Sequence, residues 1–235
     1  MEQVAQIKMS GEAEEDRGDW KSGVAGRLVA RAFLEERAAY VAPRLLGKVL
    51  AHRISGAVLA GRIVEVEAYL GHNTDPPDPA AHAHRGPTPR NAVLFGPAGH
   101  AYVYAIYGRY FCANISCEGE GEAGSVLVRA LEPLCGMEQM AANRGLASST
   151  LPSGKLARML TSGPSRLCHA LGITRAAHNG LDLLDPASSL QLLDDGRPPP
   201  EPLITARIGI RHAADLPLRF AARGHACVSG SKKMR

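Results

Sequence analysis

Residues 62–71 read RIVEVEAYLG, and their alternation predicts a β-strand within residues 58–70. A side-chain period of two places Glu65, Glu67 and Tyr69 on one face of that strand and apolar side chains on the other. Two carboxylates on one face repel each other when both are buried. We therefore expect one of them to be solvated or paired and the other to lie in a functional site. An exposed strand edge with ordinary surface acids is the alternative.

The segments around this strand predict one α+β domain. One or two helices are expected within residues 28–47, with a break near Pro43. Two more are expected over 132–143 and from a capping Ser162, with Pro164 in its first turn, to about Leu171. Further strands are expected at 48–54, 100–106, 112–116 and 125–131, with a turn at Ser55–Gly56 and short strands within 180–223. Residues 71–100, 118–124 and 145–154 are predicted as loops, and 198–202 as a proline-rich turn.

Composition and charge exclude several classes of protein. The chain has 235 residues, of which 45% are hydrophobic, so one core can form and wholesale disorder is excluded. The longest uncharged run, residues 91–108, contains glycines, a proline and a histidine and is no membrane span. Five cysteines without a CxxC pair favour reduced thiols in a cytoplasmic protein, and the N-terminus shows no secretory signal.

Residues 1–27 carry six acidic and four basic side chains without an apolar period and are predicted to be a disordered tail. The remaining body, residues 28–230, forms the predicted domain. The whole chain has a net charge of +4, and the excess in the body comes mainly from arginine. This excess is compatible with a polyanionic partner without establishing one.

The aromatic residues are concentrated in one stretch. The chain has 11 of them, and six fall within residues 95–111. Tyr102 and Tyr104 are expected to face the same side of a strand, and Tyr107 to lie at the turn formed with Gly108. An aromatic core strand is one reading, but four of the six are tyrosines, whose buried hydroxyls need partners. Flat rings beside the arginine of PTPRN suit the stacking of nucleobases.

The loop HNTDPPDPAAHAHRG, residues 72–86, raises the possibility of a metal site. A metal hydrolase built on His72, Asp75, Asp78 and His82 is one alternative function. The spacing does not match a helical HExxH pattern or a carboxylate triad. We therefore expect no metal here, and a histidine that hydrogen-bonds a ligand instead.

Six motifs occur in a fixed order: RIVEVEAYLG, AAH, TPRN, AYVYAIYGRYFCANIS, VLVRALEP and SGPSRLCHALGI. Together they resemble the alkyladenine (3-methyladenine) DNA glycosylase family of the mammalian type, over roughly residues 28–223. The resemblance implies a single compact α+β domain with a mixed, mostly antiparallel curved sheet and packed helices, distinct from the helix-hairpin-helix glycosylases. The 118–124 turn, which is longer and more acidic than the family pattern, and the polar 148–153 loop depart from it.

The resemblance also implies roles for individual residues. Glu67 would be the general base that activates the attacking water, and Arg129 would help to position that water. Tyr107 would intercalate where the flipped nucleotide had been stacked. Arg85, Arg90 and Arg166 are candidates for contacts with the DNA backbone.

The base pocket implied by the resemblance has four members. Tyr69 and Tyr104 would sandwich the flipped base, and His82 would hydrogen-bond to it. Asn114 would screen against the 2-amino group of normal guanine. A cationic N-alkylated purine would gain about 0.5–2 kcal/mol from cation–π contacts with the electron-rich rings.

The implied activity is base-excision repair of alkylated or deaminated purines. No lysine lies beside the motifs, which implies a monofunctional, purine-specific glycosylase that leaves an abasic site. The expected partner is damaged double-stranded DNA, bound by a monomer without a cofactor or a membrane. The expected location is cytoplasmic, on the nucleoid in a bacterium, or nuclear in a eukaryote. A non-catalytic nucleic-acid-binding module is a further alternative, and the Glu67 and Arg129 pair argues against it.

Overall fold

The computed structural model describes residues 24–54, 56–146 and 153–230, which form a nine-stranded antiparallel sheet with helices packed against it. In chain order, the strands are β1 (Arg27–Leu28), β2 (Val49–Ile54), β3 (Ala57–Tyr69), β4 (Ala101–Ile106), β5 (Tyr110–Cys117), β6 (Gly124–Cys135), β7 (Leu190–Asp194), β8 (Pro202–Thr205) and β9 (Arg219–Ala222). The helices are α1 (Arg31–Leu34), α2 (Ala38–Leu45), α3 (Met137–Asn143), α4 (Ser153–Thr161), α5 (Pro164–Leu171) and α6 (Arg175–His178). A short 3-10 helix spans Ala92–Phe95.

Strand β3 is the central element of the sheet. Strand β6 pairs with it along one edge over most of its length. On the other edge, the first half of β3 pairs with β2 and the second half with β9. The sheet path β1-β7-β2-β3-β6-β5-β4 therefore passes through β3, and β9 carries β8 at its side. The acidic half of β3 consequently lies between two neighbouring strands, which excludes the exposed strand edge.

The helices cover the sheet through apolar stripes. In α2, Ala38, Val41, Ala42 and Leu45 are buried, with the spacing of one helix face. Helix α5 buries Leu167, Cys168, Ala170 and Leu171 in the same main core. The α+β class with packed helices is confirmed, and the pairings between the described strands are all antiparallel. None of the helices among the described residues is long and apolar enough to cross a membrane.

Two helix predictions are wrong in their bounds. The helix predicted over 132–143 begins only at Met137, because residues up to Cys135 continue β6, where Glu132 pairs with Arg62 of β3. Gly136 then turns the chain at φ +74°, and a Cβ there would lie 2.5 Å from Leu59 Cδ2. Pro43 lies inside α2 and does not break the helical segment, whose interruption falls between α1 and α2.

Several loop and tail predictions fall partly outside the described residues. Residues 1–23 of the predicted tail, Ser55 of the predicted turn and residues 147–152 of the predicted loop are not described. Within the predicted tail, Val24 is buried and Arg27 pairs with Asp194 of β7. Helix α4 begins at Ser153, inside the stretch predicted as a loop.

The acidic connection between β5 and β6 is folded against the body of the protein. The Glu118 side chain is buried, and its carboxylate accepts the Ala38 N–H at the start of α2 at 2.9 Å. Burial raises the pKa of the Glu118 carboxyl above its usual value, an effect that Glu122 increases. Gly124 allows the close approach, because a Cβ there would lie 2.2 Å from Glu118 Oε1. This acidic connection thus supplies an acceptor for the first N–H of α2.

Candidate active site

Two irregularities in the β3–β6 ladder lie where the Arg129 guanidinium contacts both Glu65 and Glu67. The pairing runs Ile63 with Leu131, Glu65 with Ala130 and Val66 with Val128, so Val64 and Arg129 have no partner in the register. Such bulges re-aim side chains beside functional sites. Arg129 contacts Glu65 through Nε at 2.9 Å and Glu67 through Nη1 at 3.2 Å. The expected common face is confirmed, because one side chain reaches both carboxylates.

Glu65 is the paired member of the two glutamates. It is fully buried, and its Oε1 accepts hydrogen bonds from Arg129 Nε at 2.9 Å, Arg219 Nε at 2.8 Å and Ser229 Oγ at 2.8 Å. Its Oε2 accepts the Ser229 N–H at 2.6 Å. Burial alone would raise the pKa of Glu65, but the two guanidinium groups and the Ser229 N–H together hold it below its usual value. Glu65 is therefore a carboxylate anchored within the core.

Glu67 is equally buried, but one of its hydrogen-bond partners, Tyr69, lines a cavity. Its Oε1 accepts the Ile208 N–H at 2.7 Å and lies 3.2 Å from Arg129 Nη1. Its Oε2 accepts the Tyr69 hydroxyl at 3.0 Å. Since Tyr69 lines the cavity, one hydrogen bond links this carboxylate to the cavity wall. Burial and the nearby carboxylate raise the pKa of Tyr69, so its hydroxyl stays protonated at neutral pH and donates the hydrogen bond to Glu67.

The cavity beside Tyr69 has a volume of about 110 Å³. Its lining includes the four residues expected in a base pocket, and four others. They are Tyr69, Ala80, His82, Tyr102, Tyr104, Asn114, Ser125 and Ile210. The strand prediction for Tyr102 and Tyr104 is confirmed, because both side chains reach this cavity from β4.

The aromatic side of the cavity is organised around His82. Its Nδ1 lies 2.9 Å from the Tyr102 hydroxyl, and its ring meets the Tyr104 ring edge-on with 4.5 Å between centroids. Burial and, secondarily, the charge of Arg90 lower the pKa of His82, which favours a neutral imidazole at pH 7. Burial also raises the pKa of Tyr104. Two neutral rings therefore face the cavity here. Asn114 is fixed from β5 by an Nδ2–H bond to the Tyr102 carbonyl at 3.1 Å.

Other residues expected to contact DNA lie outside the cavity lining. Tyr107 stands at the tip of the β4–β5 hairpin, with 91% of its surface exposed and a left-handed φ of +49°. Arg85 and Arg90 are exposed in the 71–100 loop, and Arg90 Cζ lies 5.8 Å from the centre of the Tyr104 ring. Arg166 is exposed in the first turn of α5.

The predicted cap of α5 is wrong by one residue. Gly163 occupies the N-cap position, without a side-chain hydrogen bond, and Pro164 is the first helical residue. Ser162 is instead buried and forms a β-bridge with Ala130, so its backbone belongs to the edge of β6. The reason is tertiary: pairing with β6 takes the serine out of the capping position. Arg166 Nη1 donates to the Ser162 carbonyl at 3.4 Å.

The histidine-rich loop is held by an ion pair. Asp78 binds Arg207 through two contacts of 2.7 Å, and both side chains are fully buried. His72 Nδ1 lies 3.2 Å from the His84 carbonyl. Within the described ranges, no group of three or more His, Cys, Asp or Glu side chains is placed to hold a metal ion.

Sequence reasoning missed the residues that support the site from a distance. Arg219, Arg207 and Ser229 are buried partners of acidic side chains, and the Ile208 N–H binds Glu67. One available signal was Arg219, which lies in the apolar segment LPLRFAA. An arginine in a buried strand requires an acidic partner, although the pattern does not say which one.

Fold and site together define an α+β protein in which a buried carboxylate is hydrogen-bonded to one wall of a cavity lined by three tyrosines. The sequence matches the methylpurine-DNA glycosylase (MPG) family over residues 32–226. This chain belongs to that family.

Relatives of high identity come from bacteria and an archaeon. A protein of Koribacter versatilis named "Putative 3-methyladenine DNA glycosylase" is 52% identical over 202 residues, which cover 86% of this chain and 93% of the relative. Proteins with the same name from Burkholderia cenocepacia and Methanoculleus marisnigri are 47% and 48% identical over 207 and 202 residues. These alignments cover 88% and 84% of this chain, and 93% and 96% of those relatives. The assignment to a mammalian type has no support from these relatives.

Proposed function

We propose that this chain is a monofunctional DNA glycosylase of base-excision repair. It flips alkylated or deaminated purines, 3-methyladenine among them, out of duplex DNA and hydrolyses the N-glycosidic bond with water activated by Glu67. One observation carries the proposal: the buried Glu67 carboxylate accepts a hydrogen bond from Tyr69, which lines a cavity together with two other tyrosines. The family membership and the names of the relatives support it.

The pocket suits a base that has left the stack. A base inside duplex DNA cannot reach a buried carboxylate, so it must rotate out at a cost of a few kcal/mol. Tyr69, Tyr104 and His82 offer ring faces and edges for the flipped base. Damaged pairs open more easily, which contributes selectivity before any contact in the pocket. Tyr107, exposed at the hairpin tip, would fill the vacated position in the stack.

The chemistry required of Glu67 follows from the bond that breaks. Departure of the purine builds oxocarbenium-like charge on the sugar, as in glycoside hydrolysis. A carboxylate beside C1′ stabilises that charge and accepts the proton of the attacking water. Arg129, 3.2 Å from Glu67, would hold the water against the carboxylate. Asn114 would exclude normal guanine by meeting its 2-amino group.

Two further elements of the proposal concern the product and the DNA. Among the described residues, none of the side chains lining the cavity is a lysine, so hydrolysis rather than Schiff-base chemistry is proposed. Lys48 is paired with Asp194 at 2.6 Å, far along the sheet at β7. Arg85, Arg90 and Arg166 would contact phosphates on either side of the lesion, with the protein acting as a monomer on damaged duplex DNA.

The test is excision from duplex oligonucleotides that each carry one modified purine: 3-methyladenine, hypoxanthine or ethenoadenine. An undamaged duplex is the control. We expect alkali-labile breaks only in modified strands, in the presence of excess EDTA, and no covalent protein–DNA adduct after borohydride treatment. Binding without breaks would identify a non-catalytic module. Activity lost in EDTA and restored by one metal would identify a metal hydrolase, and a borohydride-trapped adduct would contradict the monofunctional mechanism.

A further inference from the structure

The Arg207–Asp78 ion pair joins two loops that contribute to the cavity lining, the 71–100 loop and the connection between β8 and β9, residues 206–218. Arg207 Nη1 and Nη2 bind Asp78 Oδ2 and Oδ1, each at 2.7 Å, and neither side chain has any exposed surface. Nη1 also donates to the Ala68 carbonyl at 3.0 Å, and Nη2 to the Ala213 carbonyl at 3.3 Å. One guanidinium thus ties the end of β3 to both loops.

The same guanidinium lies against Tyr69. Arg207 Cζ is 4.6 Å from the centre of the Tyr69 ring. Arg207 is fully buried and is not among the residues lining the cavity, so it packs on the ring from within the protein. A planar guanidinium stacked on a ring restricts the ring's orientation as well as attracting it. Arg207 therefore acts as a backing for one wall of the pocket.

Both partners also lie close in sequence to groups that build the site. Ile208, the residue after Arg207, donates its N–H to Glu67 at 2.7 Å, and Ile210 lines the cavity. On the other loop, Asp78 accepts the Leu70 N–H at 3.1 Å and the Ala80 N–H at 3.2 Å. Ala80 and His82 line the cavity. Displacement of the Arg207–Asp78 pair would consequently move the Ile208 N–H that binds Glu67. It would also move the cavity lining on both loops.

We propose that Arg207, fixed by Asp78, is a positioning residue that holds Tyr69 and the Ile208 N–H in the geometry that Glu67 requires. This inference rests on the proposed glycosylase function. It assigns Arg207 no contact with the DNA or the reacting atoms. A misplacement of about 1 Å at a reacting centre reduces rates by as much as about 10²-fold, so the effect is expected in the chemical step.

The chain offers a matched control in a second ion pair of the same kind. Arg62 of β3 binds Asp195 through two contacts of 2.8 and 3.2 Å, and both side chains are largely buried. Neither residue lines the cavity. Arg62→Lys and Arg207→Lys each keep the positive charge and lose the two-point contact with a carboxylate.

The experiment measures three quantities for both variants on a modified-purine duplex that the wild type cleaves. These are the single-turnover excision rate per folded molecule, the affinity for the abasic-site product duplex, and the thermal midpoint. We expect Arg207→Lys to lose about tenfold to 10²-fold in rate with unchanged product affinity. Arg62→Lys should keep the wild-type rate, whatever stability it loses.

A wild-type rate in Arg207→Lys would overturn the proposal, as would a rate loss equal to that of Arg62→Lys. If Arg207→Lys does not fold, Asp78→Asn replaces it, with the same expected loss of rate. Failure of both to fold while Arg62→Lys folds would make the pair structural and contradict a positioning role. A wild type that excises none of the modified purines would show that the proposed function itself has failed, and the inference with it.

Discussion

Glu65 and Glu67 are the same residue type, two positions apart on one strand, and neither has exposed surface. The described donors to Glu65 are two guanidinium groups and one serine, all inside the protein. Glu67 shares Arg129 with it but also receives the hydroxyl of a tyrosine that lines the cavity. Burial alone therefore does not distinguish the two carboxylates. What distinguishes them is that Glu67 has a partner, Tyr69, that lines the cavity.

The strongest effect on stability is expected at Glu65, whose described partners are all buried inside the protein. Glu65→Gln leaves Arg219, which has no exposed surface, beside a neutral amide. Breaking a buried ion pair on one side costs about 3–5 kcal/mol. We expect that loss in the free energy of unfolding, measured by denaturant titration. Glu67→Gln is the control and should lose less, because Arg129 keeps Glu65 as a partner. Equal losses would remove the distinction between an anchoring and a functional carboxylate.

A smaller effect, confined to activity, is expected at the hairpin tip. Tyr107→Ala removes a ring that is 91% exposed, so stability should not change. If the ring fills the vacated stack, its loss removes about 1–3 kcal/mol and depopulates the flipped state. Excision should fall most for a lesion opposite a matched base and least for one in a mismatch or a bulge. Tyr40→Ala, at another exposed tyrosine, is the control. Equal losses in all three contexts would argue that Tyr107 supports the fold or the chemistry.

The smallest expected effect is on the pH dependence of stability, which we attribute to a buried histidine pair rather than to the glutamates. His52 Nε2 lies 3.0 Å from His178 Nε2, and His52 Nδ1 lies 2.6 Å from the Leu171 carbonyl. Burial lowers the pKa of both histidines, and His52 lowers that of His178 further. Below pH 6.5, the ordinary pKa of histidine, the unfolded chain therefore binds more protons than the folded protein. The free energy of unfolding consequently falls as the pH drops through this value.

Glu65, whose pKa is lowered, stays ionised between neutral pH and about pH 5. Unfolding free energies over this range should decline in the wild type and decline less in His52→Gln. An identical decline in the variant would assign the acid sensitivity to other groups.

The fold and the cavity were predictable to the extent that they depend on local pattern. Alternation in residues 58–70 predicted β3, and the common face of Tyr102 and Tyr104 followed from the same rule. Local preference predicts a helix from residue 132, but α3 begins at Met137 because pairing with β3 extends β6 to Cys135. Tertiary pairing overrode propensity there.

The supporting contacts could not be predicted, because they join distant segments. Arg219 and Ser229 reach Glu65 across 154 and 164 residues of sequence, and Arg207 reaches Asp78 across 129. A single sequence shows that a buried arginine needs an acid but not which acid the fold brings to it. The bulge that turns Arg129 toward both glutamates is likewise a property of the β3–β6 register. The sequence allows Asp78 as a metal ligand for the same reason, because it does not show that Arg207 pairs with this carboxylate.

We propose that Glu67, rather than Glu65, acts in the hydrolysis. The most direct measurement is single-turnover excision of a modified purine by Glu67→Gln, beside a gel-shift titration with the same duplex. Loss of a general base reduces the rate by about 10²–10⁴-fold. We expect excision to fall by that factor while binding to damaged and abasic DNA is retained. Excision near the wild-type rate, in a variant that binds the duplex normally, would contradict the assignment of Glu67 as the general base.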